Sequence, residues 1–431
     1  MYRIFLIFCF LFIISTNVTA DEIEPAEALT LADCMGIVLQ KSSDIAYAKA
    51  DIQGKNAALN SAKKDLLPTL SGRFTYARQY DYYGPYLDSK EDYHAASVSL
   101  EQPVFAGGAL VTAVNMSELD IKTSDSELKR VQNKIVLDVY KAYYDYLRVQ
   151  KLEDVASRSV LRLESHVKDA KAFYKEGLIP KNDLLFSELE LAQGRQDLLQ
   201  ARHATLLAAS VLNVMMKRPV DEFLAVTDIT TYEKREIDWS DVNDRAKKSR
   251  PEILQADNGI LQAEKAVILA RAAYLPAVSV SATYQKERES PISSIFMPSS
   301  TETKTIQAVA KWQFWSWGQS RDKVFEAKRE IAKAREAATQ VFESIILEVR
   351  QAFLKELEAW ENINVTKKAI EQAEENYRIT EARYQAQLDT STQVLDAHTL
   401  LDRAGNNYYN ALYDYNLAIA TLDWACGDLR M

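Results

Sequence analysis

Four short stretches of this chain alternate apolar and polar residues, the period expected of β-strands with two unlike faces. Two of them, 69–77 and 277–285, begin directly after a Leu-Pro pair. Proline ends a helix and favours extended backbone before it, so a preceding helix stops there. With the two return stretches, the pattern predicts strands at about 69–82, 93–104, 277–289 and 303–314.

The remainder of the chain has the three- and four-residue apolar spacing of helices. A helix is predicted at 44–66, before the first strand. From 109 to 176 the sequence contains neither Gly nor Pro, which predicts one helix about 100 Å long. A second long helix is predicted at about 319–386. Rods of this length have to pack along partners of equal length, so the fold is mainly α with a small β part.

A tight turn follows each long helix and sends the chain back. The first is "GLIPKND" (177–183), where Asp183 is placed to cap the next helix. The second, "QLDTST" (387–392), has neither Gly nor Pro and is a weaker turn signal.

The order of parts occurs twice at an offset of 208 to 210 positions. "EQPVFAGGA" (101–109) matches "KWQFWSWGQ" (311–319), and "YKEGLIPKNDLLFSE" (174–188) matches "YQAQLDTSTQVLDAH" (384–398). We therefore divide the chain into two repeats, 21–228 and 229–431, each with helix, strand, strand, long helix and returning helix.

The first 20 residues have an early cation, an 11-residue apolar run and small residues at the end, as in a cleaved secretory signal peptide. The apolar run is too short to span a bilayer, which argues against an uncleaved anchor. Cys34 and Cys426 remain after cleavage, in a compartment where either free thiols or a disulfide can persist.

Charge and composition exclude several classes of function. The net charge is −9 and the pI about 5.3, which argues against a nucleic-acid partner. The four histidines lack metal-ligand spacing, and those in helical stretches, His166 and His398, are expected on polar faces. No phosphate loop, nucleophile elbow or pair of catalytic carboxylates is found, so we expect neither an enzyme nor a cofactor.

The alternating strands suit either a half-buried soluble hairpin or a membrane barrel. The tyrosine-rich loop 78–94 and the loop 286–304 favour a membrane interface. Four strands cannot close a barrel, and open sheet edges are not stable in lipid. Three copies would supply twelve strands for one shared barrel. The alternative is a soluble periplasmic coiled-coil adaptor or scaffold, which explains the rods but not the strands.

The Leu-Pro-strand passage, "QPVFAGG", "EGLIPKNDLL" and "VLDA", in this order, resemble the TolC-like outer-membrane efflux proteins. That resemblance implies a homotrimeric channel-tunnel, with a β-barrel in the outer membrane of a Gram-negative bacterium and a helical barrel in the periplasm. It also implies outer-membrane lipid, a periplasmic adaptor and an inner-membrane transporter as partners. The expected function is therefore export through a tripartite efflux pump or a type I secretion system.

The resemblance also implies roles for the two turns as the periplasmic entrance. Asp396 matches an acid that lines the constriction, while Gln393 stands where the family can carry a second one. Asp183 matches a residue that ties neighbouring tips through an arginine, but that arginine's position is Asp389 here. Such a tie needs another cation (Lys181 or Arg383), and helix capping is the competing role for both acids. The residues expected to dock the adaptor are Gly177, Leu178, Pro180, Leu388 and Ser391.

Overall fold

A computed structural model describes residues 28–82, 88–228, 232–290 and 300–428. The predicted signal peptide lies outside these ranges. The helices are α1 (Leu31–Lys41), α2 (Ser43–Lys64), α3 (Ala109–Lys175), α4 (Lys181–Met215), α5 (Trp239–Ser249), α6 (Pro251–Ala272), α7 (Gln319–Gln385) and α8 (Ser391–Ala425). The strands are β1 (Thr69–Tyr82), β2 (Asp88–Ala106), β3 (Ala277–Ser290) and β4 (Ser300–Lys311).

The region before each first strand holds two helices where the sequence predicted one. The predicted helix 44–66 corresponds to α2, which ends earlier, at Lys64, and α1 precedes it. Ser42 has extended backbone (φ −61°, ψ 130°), and its side chain accepts a hydrogen bond from the Ile45 amide. The chain therefore bends at Ser42 because this residue caps α2 instead of continuing α1. In the second half, Arg250 forms the same bend before α6.

The four strands form one antiparallel sheet in the order β1-β2-β3-β4. Pairing of β2 with β3 joins the two halves of the chain. The last strand ends at Lys311 and not at the predicted 314, because Lys311 pairs with Ala277, the first residue of β3. Beyond that pair β3 offers no backbone partner. Among the described residues, β1 and β4 each have one unpaired edge.

The register aligns the apolar residues of all four strands on one face of the sheet. Leu70 pairs with Leu100, Leu100 with Ala282, and Ala282 with Ile306. The neighbouring row contains Ser99 and Thr283, whose hydroxyl oxygens are 3.0 Å apart. Leu70 and Ile306 are 72% and 83% exposed, so the apolar face is uncovered in the single chain.

Two helical hairpins extend from the sheet. The long helices α3 and α7 have 67 residues each, and the returning helices α4 and α8 have 35 each. Gly108 and Gly318 have left-handed backbone (φ 83° and 88°) immediately before the long helices. Glycine adopts this conformation without strain, which lets the strand direction change to that of the helix.

The main cores lie where the short helices pack on the long ones. Around α1, the buried cluster includes Cys34, Val139, Tyr143 and Leu212. Around α5, a second cluster includes Cys426 and Leu422 from the end of α8. Both cysteines are buried free thiols, and each belongs to a different cluster. This resolves the alternatives that the sequence left open: the structure contains no bond between them.

All positive-φ residues in the described part of the chain form four pairs, each 210 positions apart. The pairs are Gly107 and Trp317, Gly108 and Gly318, Gly177 and Gln387, and Lys217 and Gly427.

Candidate functional site at the helical tips

The first tip is built by backbone hydrogen bonds around a left-handed glycine. The Gly177 amide donates to the Tyr174 carbonyl (3.0 Å), and the Leu178 amide donates to Phe173 (2.9 Å). These bonds satisfy the last carbonyls of α3, which otherwise lack partners. Pro180 then occupies the N-cap of α4 without a side-chain cap. Gly177, Leu178 and Pro180 are all exposed.

The second tip follows the same backbone path without glycine. Gln387 has φ 60°, and its amide donates to Tyr384 (2.9 Å), while the Leu388 amide donates to Arg383 (2.8 Å). Thr390 is the N-cap of α8, and it forms a capping box with Gln393. Leu388 is 69% exposed at the apex.

Asp183 lies in the first turn of α4, but it does not cap the helix as predicted. The N-cap position belongs to Pro180, because the helix begins at Lys181. A carboxylate in the first turn still interacts favourably with the positive end of the helix dipole. Its main-chain carbonyl accepts a hydrogen bond from the Ser187 hydroxyl (2.9 Å). No ion pair of Asp183 is found within the described residues.

Asp389 is held by Arg383 within its own tip. The guanidinium donates from Nε to Oδ2 (2.7 Å) and from Nη2 to Oδ1 (3.0 Å). These hydrogen bonds lower the pKa of Asp389. In the single chain Arg383 therefore pairs with Asp389 and not with Asp183. Asp389 does not cap α8 either, because Thr390 does.

Asp396 lies on an exposed position of α8, in its second turn. Gln393, one turn earlier, uses its side-chain oxygen to accept from the Thr390 amide (2.8 Å). The neutral side chain at this position thus completes the cap of α8, and Asp396 is the acid that α8 exposes here.

Ser391, predicted to lie on a docking surface, is buried instead. It is the first residue of α8, and its hydroxyl oxygen is 2.8 Å from His166 Nε2 and 3.0 Å from the Ser187 hydroxyl oxygen. The ring of Tyr384 contacts that of His166, with 5.0 Å between the centroids and 45° between the ring planes. We call this cluster of His166, Ser187, Tyr384 and Ser391 the tip junction. It connects all four helices of the two hairpins.

A second polar layer lies deeper between the hairpins. The Ser159 hydroxyl donates to Asp402 (2.5 Å), which also accepts from Arg162 (2.6 Å). His398 Nε2 is 3.3 Å from the Ser159 carbonyl oxygen. His166 and His398 are therefore buried, and the prediction that they face solvent is wrong.

The sequence carried a signal for the burial of His166 that the prediction did not use. Leu163 lies three positions before it and Ala170 four positions after it, which is the spacing of a buried helical stripe. What the sequence could not reveal is its hydrogen-bond partner, because Ser391 is 225 positions away.

Neither a metal site nor a membrane-spanning helix is found in the parts of the chain that the structure describes. No three His, Cys, Asp or Glu side chains within those ranges converge in a way that could hold a metal ion. None of the described helices combines the length and the apolar character needed to cross a bilayer.

The long paired hairpins below a small antiparallel sheet define a channel-type outer-membrane protein. A model of the outer membrane efflux protein family matches residues 35–216 and 242–428, so the chain belongs to that family. This confirms the resemblance drawn from the sequence, and with it an outer-membrane efflux channel, and not an enzyme, in a Gram-negative cell. The same match decides against the soluble adaptor.

Individual relatives agree with the family. The chain is 22% identical over 382 residues to the outer membrane protein TolC of Vibrio cholerae, covering 86% of this chain and 84% of that one. The Campylobacter jejuni CmeC outer membrane channel has a similar fold (TM-score 0.81, 15% identity, 93% and 86% covered). So has the outer membrane protein VceC of Vibrio cholerae (TM-score 0.78, 17% identity, 92% and 96% covered).

Proposed function

We propose that three copies of this chain form one channel through the outer membrane and periplasm, serving a tripartite efflux pump or a type I secretion system. In this arrangement three four-stranded sheets close a twelve-stranded barrel. The helical hairpins form a tube below it, and substrates pass from an inner-membrane transporter to the outside.

The observation that carries this proposal is the exposed apolar face of an open sheet. The row Leu70, Leu100, Ala282 and Ile306 crosses all four strands without a covering layer. Lipid is the solvent that suits such a face. The free backbone edges of β1 and β4 are not tolerated in lipid, so they need strands from further copies.

The returning helix of the first hairpin supports association of the tubes. Six leucine and phenylalanine side chains along α4 are more than half exposed in the single chain. They are Leu185, Phe186, Leu189, Leu199, Leu206 and Leu207. Apolar surface of this extent marks an interface with other protein, and neighbouring hairpins of further copies would cover it.

We also propose that the two repeats, 21–228 and 229–431, are copies of one unit. Support comes from equal helix lengths in the two halves: 11, 22, 67 and 35 residues in the same order. The four left-handed pairs at a spacing of 210 add independent support. A duplicated hairpin lets three chains supply six similar hairpins to the tube.

The exposed turns are the proposed contact with a periplasmic adaptor. Leu178 and Leu388 protrude at the two apices, and each is more than half exposed. Ser391 is excluded from this surface by its burial. An adaptor that caps the tube would cover both leucines. The type of inner-membrane transporter would determine whether the assembly is an efflux pump or a type I secretion system.

Electron microscopy of the detergent-extracted particle tests the assembly. We expect a threefold tube with a detergent belt around the barrel end and a helical body of about 100 Å beneath it. A monomer without a belt would overturn the proposal. Crosslinking from Leu178→Cys and Leu388→Cys in intact cells then identifies the adaptor, with the buried Cys34 and Cys426 as silent background thiols.

Asp396 provides a separate test of the entrance. In the trimer, three exposed Asp396 carboxylates would form a ring that attracts cations and repels anions. We expect Asp396→Asn to lower the cation-over-anion permeability ratio several-fold in planar bilayers, whereas Asp221→Asn, in the exposed loop after α4, leaves it unchanged. An unchanged ratio in Asp396→Asn would remove Asp396 from the pore lining.

A further inference from the structure

In the tip junction, the hydrogen bonds of Ser187 and Ser391 determine which nitrogen of His166 carries the hydrogen. The Asp183 carbonyl can only accept, so the Ser187 hydroxyl proton is committed to it. The bond between Ser187 and Ser391 then needs the proton of Ser391. It follows that His166 Nε2 carries a hydrogen and donates it to Ser391.

This tautomer leaves Nδ1 of His166 as an acceptor with a free lone pair. Nδ1 is buried and has no hydrogen-bond partner among the described residues. Protonation would place an N–H donor and a positive charge in a site without an acceptor, which is strongly unfavourable.

The groups that face His166 come from every helix around it. They are Asp169 on α3, Ser187 on α4, Tyr384 on α7, and Ser391 and His398 on α8. Burial lowers the pKa of His166 to about 4; Asp169 opposes this shift and His398 adds to it. The junction is therefore built around a neutral imidazole.

We propose that the tip junction is an acid-sensitive latch: neutral His166 holds the start of α8 against α3 and α4, and protonation of Nδ1 releases it. Ser391 is the first residue of α8, so its release frees the second tip from the first hairpin. The periplasmic end of the tube thereby becomes looser in acid.

The direction follows from the linkage between protonation and opening. The opened latch exposes His166 to water, where its pKa is about 6.5. The closed state is fully stabilised above this value and loses stabilisation as pH falls towards 4. Between pH 7.5 and 5, the opening equilibrium rises about 30-fold.

The first test uses the native trimer. Exchange of the imidazole C2 hydrogen, followed by mass spectrometry across pH, reports the titration of each histidine separately. We expect His166 to remain neutral down to about pH 5. Titration of His166 near pH 6.5 would overturn the proposal.

The second test measures amide exchange in the first turn of α8, corrected for the intrinsic effect of pH. We expect opening to increase about 30-fold from pH 7.5 to 5 in the native protein. His166→Gln keeps a donor for Ser391 but cannot titrate, so the increase should fall below about 3-fold. The matched control is His203→Gln on α4, outside the tip junction, which should retain the native response.

A flat native profile, or an equal loss in His203→Gln, would refute the latch. If the first turn of α8 exchanges rapidly in His166→Gln at every pH, this variant no longer tests the latch. The titration of His166 in the native trimer is then the test.

The effect on conduction rests on the proposed function, whereas the latch itself does not. In planar bilayers, native conductance should increase between pH 7.5 and 5, and His166→Gln should not respond. If amide exchange shows release of α8 while conductance stays constant, the latch stands. The proposal that fails is then that the tips form the constriction.

Discussion

The two halves of the chain make the same left-handed turns, with different residues in three of the four pairs. Where the long helix begins, the first half has Gly107 (φ 62°) and the second has Trp317 (φ 52°). At the tips, Gly177 corresponds to Gln387. Both halves therefore follow the same backbone path at these positions. Only the first half has glycine there, the residue that adopts a left-handed conformation most easily. In the pair of Gly107 and Trp317, the two sites also differ in how closely neighbouring atoms approach the residue.

The surroundings explain the first pair. A Cβ atom at Gly107 would lie 2.7 Å from the carbonyl oxygen of Ala272, well inside van der Waals contact. Trp317 is 89% exposed and has no such neighbour to avoid. Glycine is therefore required at position 107 by packing as well as by φ. At 317 only the moderate strain of a left-handed side chain has to be tolerated.

Gly107→Ala is the substitution that should separate the halves most strongly. We expect it to destabilise the protein by about 3 kcal/mol, since the left-handed strain adds to overpacking against Ala272. Thermal unfolding of the detergent-solubilised protein measures the loss. Trp317→Gly is the matched control, and it should be neutral or mildly stabilising. A loss below about 1 kcal/mol in Gly107→Ala would show that the backbone of Ala272 can yield.

The tips differ in how the returning helix begins. α4 starts after Pro180, whose ring fixes the backbone but provides no side-chain cap. α8 starts at Thr390, whose side chain and that of Gln393 cap each other's amides. The Arg383–Asp389 pair adds a second contact to this tip. The first turn is thus shaped by the backbone preferences of Gly and Pro, whereas the second is held by side-chain hydrogen bonds.

Thr390→Ala should weaken the second tip by about 1 kcal/mol, the usual cost of losing an N-cap. The measurement is hydrogen exchange of the first amides of α8, and the first amides of α4 should not change. Thr390→Ser retains the capping oxygen and should behave as the native protein does. Equal fraying in the Ser variant would assign the effect to the lost methyl group instead.

Gln387→Gly is the smallest of these changes and has the opposite sign. Removing the side chain from a left-handed position should stabilise the second tip by about 0.5 to 1 kcal/mol, part of the strain being offset by the entropy of the unfolded glycine. The reverse change, Gly177→Gln, should destabilise the first tip, where a Cβ meets no neighbour and only φ matters. If neither substitution changes the stability of its tip, the positive φ does not explain why the two tips have different residues.

Most of the fold is encoded locally, and this is why it could be predicted. Alternation identified the strands, and the absence of Gly and Pro identified the long helices. The family match has since confirmed the resemblance. The short helix α1 has no counterpart in the prediction, because the predicted helix begins only at 44, just after the bend at Ser42. At Ser42 the bend is made by one side-chain hydrogen bond from the Ile45 amide, whereas Arg250 makes the corresponding bend without a side-chain cap, directly before Pro251.

The candidate site was predicted less completely. The positions of the turns can be read from the sequence, yet the sequence predicts Ser391 on a docking surface and His166 on a polar face, and both are buried. Their hydrogen bond joins residues 225 positions apart. Only the packing of one hairpin on the other brings them together, and no local pattern encodes that packing.

The equal lengths of α3 and α7 constrain how this protein can change over time. Each inserted residue would push one tip about 1.5 Å beyond the other and rotate it by about 100°. Ser391 would then face a different side of the first hairpin. A change in reach therefore requires matched insertions in both halves of the gene, so the reach of the two tips is inherited as a single trait.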